Sequence, residues 1–492
     1  MTNLNKKMAR GVGWMVLFKL AQRGLGLIST VILARILVPE DFGLIAMAMS
    51  VYAVLEIMGA FSFDLALIQN QKATREHYDT AWTFNVMYGA VAATILFFLA
   101  EPMALFFGDA RLAEIVPYLA LASLLQGGEN IGVVAFRKEL DFKKEFNFLL
   151  FKKIIAFVVT ITAAFLYQNY WALVLGIVTS TAAGVAISYF LHPYRPRFSL
   201  AKGLELFHFS KWLLLNNVLV FLNIRGIDFV IGKISGAKVL GLYTISYELS
   251  NLATTELVTP LTRAVFPGYA RMSADREELR KGFLNVLSLV AVMVIPIGLG
   301  TMVLSEPLVR VLLGEKWLES IPLIEILAIA GVSRGLQANF GAVFLALGKP
   351  KMIAILSVIQ ISIAYPAFIF ALLEGGIEAG ASALVITAFI VLPLSYFLLM
   401  RALSLPVLNV FSVLWRPVIS AFAMVAALVY LQDIWPLYQN TASLVAQFLM
   451  YIAAGGVVYS ASLTLLWQLS HKPRDSAEAF IFDFLRQKLV NV

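Results

Sequence analysis

The sequence predicts an all-α integral membrane protein of about fourteen transmembrane helices. Three observations carry this. Of 492 residues, 60% are apolar and 14% charged, and the mean hydropathy is +0.84, whereas soluble domains carry about 25% charged residues. Stretches long enough to cross a bilayer core (~18 residues or more) and nearly free of charge recur along the chain, the cleanest being Thr80–Ala100, Phe283–Ser305, Met352–Leu373 and Ala379–Met400. The third observation is the distribution of lysine and arginine, which alternates from one inter-span segment to the next.

With Gly, Pro and charge clusters as boundaries, the spans fall near 13–36, 42–69, 80–100, 112–135, 148–167, 170–191, 212–232, 240–264, 283–305, 320–346, 352–373, 376–400, 413–431 and 441–468. The long apolar run Ile154–Tyr194 must hold two crossings, and Tyr167-Gln168-Asn169-Tyr170 supplies the polar, aromatic turn between them. Lys19 and Arg23 interrupt the first apolar segment, and no small-residue cleavage site follows, so a removed signal is not expected. Basic short loops stay on the cytoplasmic side. With the N-terminus inside, 27 basic residues, Lys152, Lys153 and Arg416 among them, fall on that side and six on the other, which also puts the C-terminus inside. The +8 net charge is therefore a matter of topology and not a nucleic-acid surface.

An internal repeat supports two lobes. LARILVPEDFGL at 33–44 recurs 198 residues later as IGKISGAKVLGL, aligning Arg35 with Lys233 and Gly43 with Gly241. EPMALFFGD, followed by Pro117 and Glu129, recurs as EPLVRVLLGE, followed by Pro322 and Arg334. Six helices per repeat leave both copies in the same orientation, as in transporters. The expected organisation is a six-helix lobe at 1–191, an amphipathic cytoplasmic linker at 192–211, a second lobe at 212–400, two extra helices within 401–470 and an amphipathic tail at 471–492. Linker and tail read as surface helices, with Phe198, Leu204, Leu206 and Phe207 in one and Phe480, Ile481, Phe484, Leu485 and Leu489 in the other.

Soluble-enzyme motifs are absent: there is no H-E-x-x-H, no Walker loop and no G-x-S-x-G. Four scattered His and no Cys offer no metal or thiol site, so no cofactor is expected. Outside loops are too short for a catalytic domain. The informative residues are charges within spans, each costing at least ~2.5 kcal/mol at a helix centre unless it faces a cavity or partner. The bases are Lys19, Arg23, Arg225, Arg263 and Arg334, and the acids are Glu56, Asp64, Glu129, Asp228, Glu248, Glu256 and Glu325. Arg225 with Asp228, and Glu256 with Arg263, have the spacing to neutralise each other within a helix. Glu129 and Arg334 stand at equivalent repeat positions with opposite sign, the spacing of a lock between lobes. Lys19, Arg23 and Arg334 have no carboxylate one turn away in their own spans. Buried bases call for an anionic substrate, and a pyrophosphate headgroup would take bidentate arginine contacts. Glu56, Glu129 and Glu256 are the carboxylates placed to relay a proton or cation.

Five segments in order resemble a known family: LARILVPEDFGL at 33–44, RKELDF at 137–142, GLYTISYELSN at 241–251, TPLTRAVFPGYAR at 259–271 and LLGEKW at 312–317. They are similar to the polysaccharide-transport flippases of the multidrug/oligosaccharidyl-lipid/polysaccharide superfamily, in particular the colanic-acid exporter branch. The resemblance spans essentially the whole chain. It implies translocation of an undecaprenyl-pyrophosphate-linked oligosaccharide across a bacterial inner membrane by alternating access, with proton or sodium coupling and association with polysaccharide polymerase machinery. The family's cationic cavity maps onto Lys19, Arg23, Arg225 and Arg334, and ion coupling or lobe contact onto Glu56, Glu129, Asp228 and Glu256. A drug/cation antiporter of the same superfamily and a membrane-bound glycosyltransferase or ligase are the alternatives. The charge asymmetry predicts that reporter fusions after Asn440 report outside and fusions after Pro473 inside; a cytoplasmic signal at Asn440 would refute fourteen spans.

Overall fold

The computed structural model describes residues 3–59, 63–70, 72–252, 254–438, 440–473 and 476–480, with side chains throughout except at 3–13, 15, 16, 58, 59, 65, 66, 69, 204–225, 259, 263 and 441. Every regular element among them is helical. In order they are α1 Asn3–Ile36, α2 Pro39–Gly59, α3 Phe63–Gln69, α4 Arg75–Phe107, α5 Arg111–Gly127, α6 Val134–Lys138, α7 Phe142–Tyr167, α8 Trp171–Leu191 and α9 Gly203–Ser250. There follow α10 Thr259–Met272, α11 Arg276–Val303, α12 Ser305–Leu312, α13 Ile321–Gln337, α14 Phe340–Ala346, α15 Pro350–Leu403, α16 Val407–Ile434 and α17 Thr441–Leu469. Asp141, Asp275 and Asn440 start α7, α11 and α17, each side chain accepting a backbone N–H of the first turn.

Nine of the described helices are long and apolar enough to cross a membrane, ten if the bent pair Arg111–Gly127 and Ile131–Lys138 is one span. Two of the elements are too long for one crossing: 54 residues of α15 would run about 80 Å and 48 of α9 about 70 Å. Each is broken by a glycine with positive φ, Gly376 at φ 72° and Gly236 at φ 79°, a conformation other L-residues resist. These breaks fall at the boundaries expected between spans 7 and 8 and between spans 11 and 12. Fourteen crossings are consistent with this order.

The chain divides into two compact units, Met1–Gly241 and Leu242–Val492. The division lies beyond the expected lobe boundary because the stretch 232–241 is packed into the first unit. Gly43 and Gly241, the glycines that the repeat aligns, meet there: a Cβ on Gly43 would overlap the Ala237 carbonyl, and one on Gly241 the Pro39 carbonyl. Close backbone approach of this kind is how membrane helices associate without a hydrophobic driving force. Near it, Arg111 holds both Asp109 (2.7 Å) and Glu40 (2.6 Å), while buried Asp41 accepts the Val38 and Tyr170 N–H groups. Three inter-helix turns of this unit are tied together by these carboxylates. The Arg111 hydrogen bond holds the Asp109 carboxyl below the usual range, whereas burial pushes that of Asp41 up.

In the linker, residues 192–200 are extended and a turn leads into α9 at Gly203, so that 203–211 is helical but continuous with α9. Pro193 and Pro196 keep their neighbours out of helical geometry. This strap lies along the start of α4: Asp79 accepts the Tyr194 hydroxyl (2.5 Å) and the Arg197 N–H (2.8 Å), and Thr83 Oγ1 accepts the Ser199 N–H (2.9 Å). Of the tail, residues 481–492 lie outside the described residues; Ser476, Ala477 and Glu478 are buried and Phe480 is exposed.

Glu478 pairs bidentately with Arg416 of α16, Oε1 to Nε at 2.8 Å and Oε2 to Nη2 at 3.4 Å, the side chains being 3% and 6% exposed. Arg416, assigned by its charge to the cytoplasmic loops, is thus an interior residue of the second unit. Breaking a buried pair by removing one partner typically costs about 3–5 kcal/mol, whereas replacing both by apolar groups is often neutral. Glu478→Ala is expected to lower the thermal unfolding midpoint of the solubilised protein strongly, and Arg416→Met with Glu478→Leu to recover most of the loss.

Candidate functional site

Each unit builds a polar site, the first of them at a broken helix. In the first unit α5 ends at Gly127, the chain turns by 61°, and a 3₁₀ turn at Ile131–Val133 leads into α6. Glu129 sits in this break. Asn130 secures it: its Oδ1 accepts the Gly132 N–H (2.9 Å), its Nδ2 donates to the Tyr194 carbonyl (2.7 Å), and its own N–H donates to Ser188 Oγ (3.0 Å). The break is therefore joined to the strap and to α8. Beside it, burial holds the His192 imidazole below its ordinary value, and its Nδ1 accepts the Tyr194 N–H (3.1 Å), which places the ring proton of the neutral form on Nε2.

A cavity of about 350 Å³ opens at this break, lined among others by Tyr52, Glu56, Asn85, Gln126, Glu129 and Lys152. Lys152 Nζ lies 3.1 Å from Glu129 Oε2, with the two side chains 25% and 26% exposed. Tyr52 donates to Gln126 Oε1 at 2.7 Å. Toward one end Arg137 bridges Asp64 (3.4 Å) and Glu145, which is buried. Four carboxylates thus line the cavity against two bases, which suits a cation or a proton and not an anion. Lys152, counted on the cytoplasmic side from sequence, stands ten residues past the first residue of α7, about 15 Å along its axis. Charge counting missed it; its apolar flanks, FNFLLF before and IIAFVV after, were the available signal.

The second unit centres on Arg334. Ser246, Ser250 and Thr254, four residues apart, donate to the carbonyls of Ser320, Ile324 and Gly331 (3.4, 3.2 and 3.1 Å) and clamp the end of α9 against α13. A π-helical turn at Thr254–Val258 follows, a distortion frequent at functional sites. Against this surface the Arg334 guanidinium donates through Nε to Asn251 Oδ1 (2.8 Å) and lies over the Tyr247 ring, 4.9 Å from its centroid. Its Nη2 is buried and meets no acceptor among the described residues.

Of the other expected site residues, Glu56 faces the first cavity and makes no salt bridge among the described residues, so Glu56 and Glu129 are brought together. Lys19 is exposed on α1, and Arg23, one turn on, is half-buried and engaged. The side chains of Arg225 and Arg263 lie outside the described residues, and with them both expected intrahelical pairs. Asp228 is buried, Glu256 half-buried in the π-helical turn, and both are engaged. Glu325 accepts the Ser305 hydroxyl at 2.8 Å. Glu129 and Arg334 each find the partners named above within their own unit.

Two units of membrane-crossing helices, each with a charged polar site, define a multi-pass membrane transporter. Residues 32–322 match the polysaccharide biosynthesis protein family, and the chain belongs to that family. It is 26% identical over 464 residues to the lipopolysaccharide biosynthesis protein WzxC of Escherichia coli (strain K12), covering 92% of this chain and 89% of the relative. To the succinoglycan biosynthesis transport protein ExoT of Rhizobium meliloti (strain 1021) it is 25% identical over 465 residues, 94% and 93% of the two chains. Among solved structures, the lipid II flippase MurJ in an inward closed conformation superposes with a TM-score of 0.75 at 15% identity, over 92% of this chain and 99% of that one. An inward-facing multidrug resistance MATE family transporter of the MOP superfamily gives 0.59 at 14%, over 78% and 94%. At these identities the structural likeness is one of fold.

Asn130 ties the broken span to the strap through its hydrogen bond to the Tyr194 carbonyl. Losing a buried hydrogen bond costs about 1–3 kcal/mol when its partner is left unsatisfied. Asn130→Ala is expected to lower thermal stability by that order and to make the segment 194–200 cleavable in limited proteolysis; unchanged resistance would show that Asp79 and Thr83 hold the strap unaided.

Proposed function

We propose that the chain is a flippase that moves an undecaprenyl-pyrophosphate-linked oligosaccharide from the cytoplasmic to the outer leaflet of a bacterial inner membrane, by alternating access, for exopolysaccharide or lipopolysaccharide synthesis. Both termini are cytoplasmic in this reading, and the product is handed to polysaccharide polymerase machinery. The observation that carries it is the half-satisfied guanidinium of Arg334. One side of the fork is committed to Asn251 and Tyr247, and Nη2 on the other has no acceptor among the described residues, which is costly inside a membrane protein. A phosphate oxygen reaching Nη2 would offset that cost with a charge-assisted bond. Lys19, Arg23 and Arg225 are the further candidates for the headgroup. Glu56 and Glu129 are the coupling carboxylates, taking up a proton or sodium ion from one side and releasing it to the other, while Asp228 and Glu256 serve as contacts within their helices.

The acidic cavity of the first unit also favours the runner-up, a drug/cation antiporter, since a 350 Å³ space with four carboxylates could take an organic cation. Flipping of a fluorescent lipid-linked oligosaccharide in liposomes, measured beside efflux of a cationic dye, separates the two. A charge-assisted contact is worth roughly 1.5–3 kcal/mol, so Arg334→Ala should weaken headgroup binding about 10- to 100-fold. Arg334→Lys, which keeps charge but loses the fork, should fall between. Glu56→Gln should abolish the dependence on an imposed gradient while the protein still inserts. Normal flipping by a stable Arg334→Ala protein would refute the headgroup role.

A further inference from the structure

Lys152 is the residue that neither the sequence reading nor the flippase mechanism called for. It reaches Glu129 from a different helix, and the pair rests on a third: a Cβ added at Gly184 of α8 would lie 2.7 Å from Lys152 Nζ and 2.9 Å from Glu129 Oε2. A side chain there would press on both charged ends, so glycine leaves the space in which ammonium and carboxylate meet. The arrangement belongs to a helix break, where transporters place ion sites, but here a tethered cation already occupies half of it.

The ionisable groups around the cavity can be taken element by element. From α2 come Tyr52 and Glu56, from α3 Asp64, from α4 Tyr88, from α6 Arg137, and from α7 Glu145 and Lys152, with Glu129 in the break. α8 contributes Gly184 at the pair, and Lys19 and Arg23 of α1, which packs on α7, are not among the lining residues. Tyr88 donates to the Leu55 carbonyl. Arg137 engages Asp64 and Glu145, and Lys152 engages Glu129. Glu56 is left without a salt bridge among the described residues.

Building on the coupling reading above, we propose that Lys152 sets what this cavity exchanges: it holds Glu129 as an internal ion pair and leaves Glu56 as the exchangeable carboxylate, so that one proton, and not a metal cation, is taken up per cycle. A sodium ion must have its hydration shell replaced by several oxygens, and the tethered ammonium excludes it from the carboxylate best placed to help. A proton needs a single oxygen. Removing the ammonium would leave Glu56 and Glu129 as two uncompensated carboxylates in one cavity. Like charges disfavour joint ionisation, so proton uptake would move to higher pH and spread over two steps, and a monovalent metal cation would gain a site.

The test is the pH profile of gradient-driven flipping in proteoliposomes, with and without sodium. Wild type should respond to a pH gradient and ignore sodium. Lys152→Gln should shift the midpoint upward by about one pH unit or more and make flipping sodium-sensitive, while Lys152→Arg should retain the wild-type profile. Gly184→Ala, which makes both charged ends shift without altering charge, should shift the midpoint in the same direction by less, and it decides the matter if Lys152→Gln does not fold. A lower rate with an unmoved midpoint and no sodium response in Lys152→Gln, or in Gly184→Ala if that variant must stand in, would make Lys152 a structural residue and overturn the proposal. A wild type indifferent to pH gradients would instead overturn the coupling reading on which it rests.

Discussion

An ionised side chain in an apolar helix must be compensated where solvent reaches it poorly, because the cost of leaving it alone at a helix centre is at least ~2.5 kcal/mol. Most of what is distinctive in this chain follows from that constraint. Glu129 is matched by Lys152, Glu145 and Asp64 by Arg137, and Glu478 by Arg416, each across helices. Such pairs fix helix register more tightly than apolar packing can, since an apolar face tolerates sliding and a hydrogen-bonded ion pair does not. Arg334 is the partial exception. Its Nε and its aromatic cover are in place while Nη2 has no acceptor among the described residues.

Compensation is possible at Glu129 because the helix is broken there. A continuous helix presents side chains and consumes its own backbone groups; a break frees peptide groups and redirects side chains into the space between helices. Asn130 then satisfies what the break exposes and passes the connection to the strap at Tyr194. The strap is held in turn by Asp79 and Thr83 at the start of α4. The cavity and the segment leading out of the first unit are therefore one hydrogen-bonded assembly, so a change of charge at the break has a mechanical route to the strap.

The helices were legible in the sequence and the pairs were not, for a physical reason. Hydropathy reports the local solvent of a segment, so it located the spans and even the breaks near Gly236 and Gly376. Charge counting along the chain treats every lysine beside a span end as a loop residue, and it placed Lys152 and Arg416 on the cytoplasmic side. Whether such a residue is solvated or paired depends on a carboxylate 23 or 62 positions away, which no window sees. The linker divides by local chemistry: Leu204, Leu206 and Phe207 lie in helix as the start of α9, while Pro193 and Pro196 keep 192–200 extended. At the candidate sites, Glu56, Glu129 and Arg334 stand out by cost alone, whereas Asn251, Tyr247 and Gln126 are ordinary residues that only the fold brings beside them.

The repeat adds a last step. The corresponding spans are α5 with α6, bent by 61°, and α13 with α14, which pass as one span, and α5 and α13 are both 17 residues long. At equivalent places in these spans the first copy carries Glu129 and the second Arg334. Duplication supplied the same framework twice, and a reversal of charge at one position gave the copies opposite electrostatic character: four carboxylates against two bases in the first cavity, and a guanidinium seated on an amide and a tyrosine in the second. Under the proposed function this division is what coupling requires. The cation that drives transport and the anionic headgroup that is moved would compete in one shared site of either sign. Placed in separate units, each is bound by groups of opposite charge and repelled from the other's site, so that both can be carried in the same cycle without displacing one another.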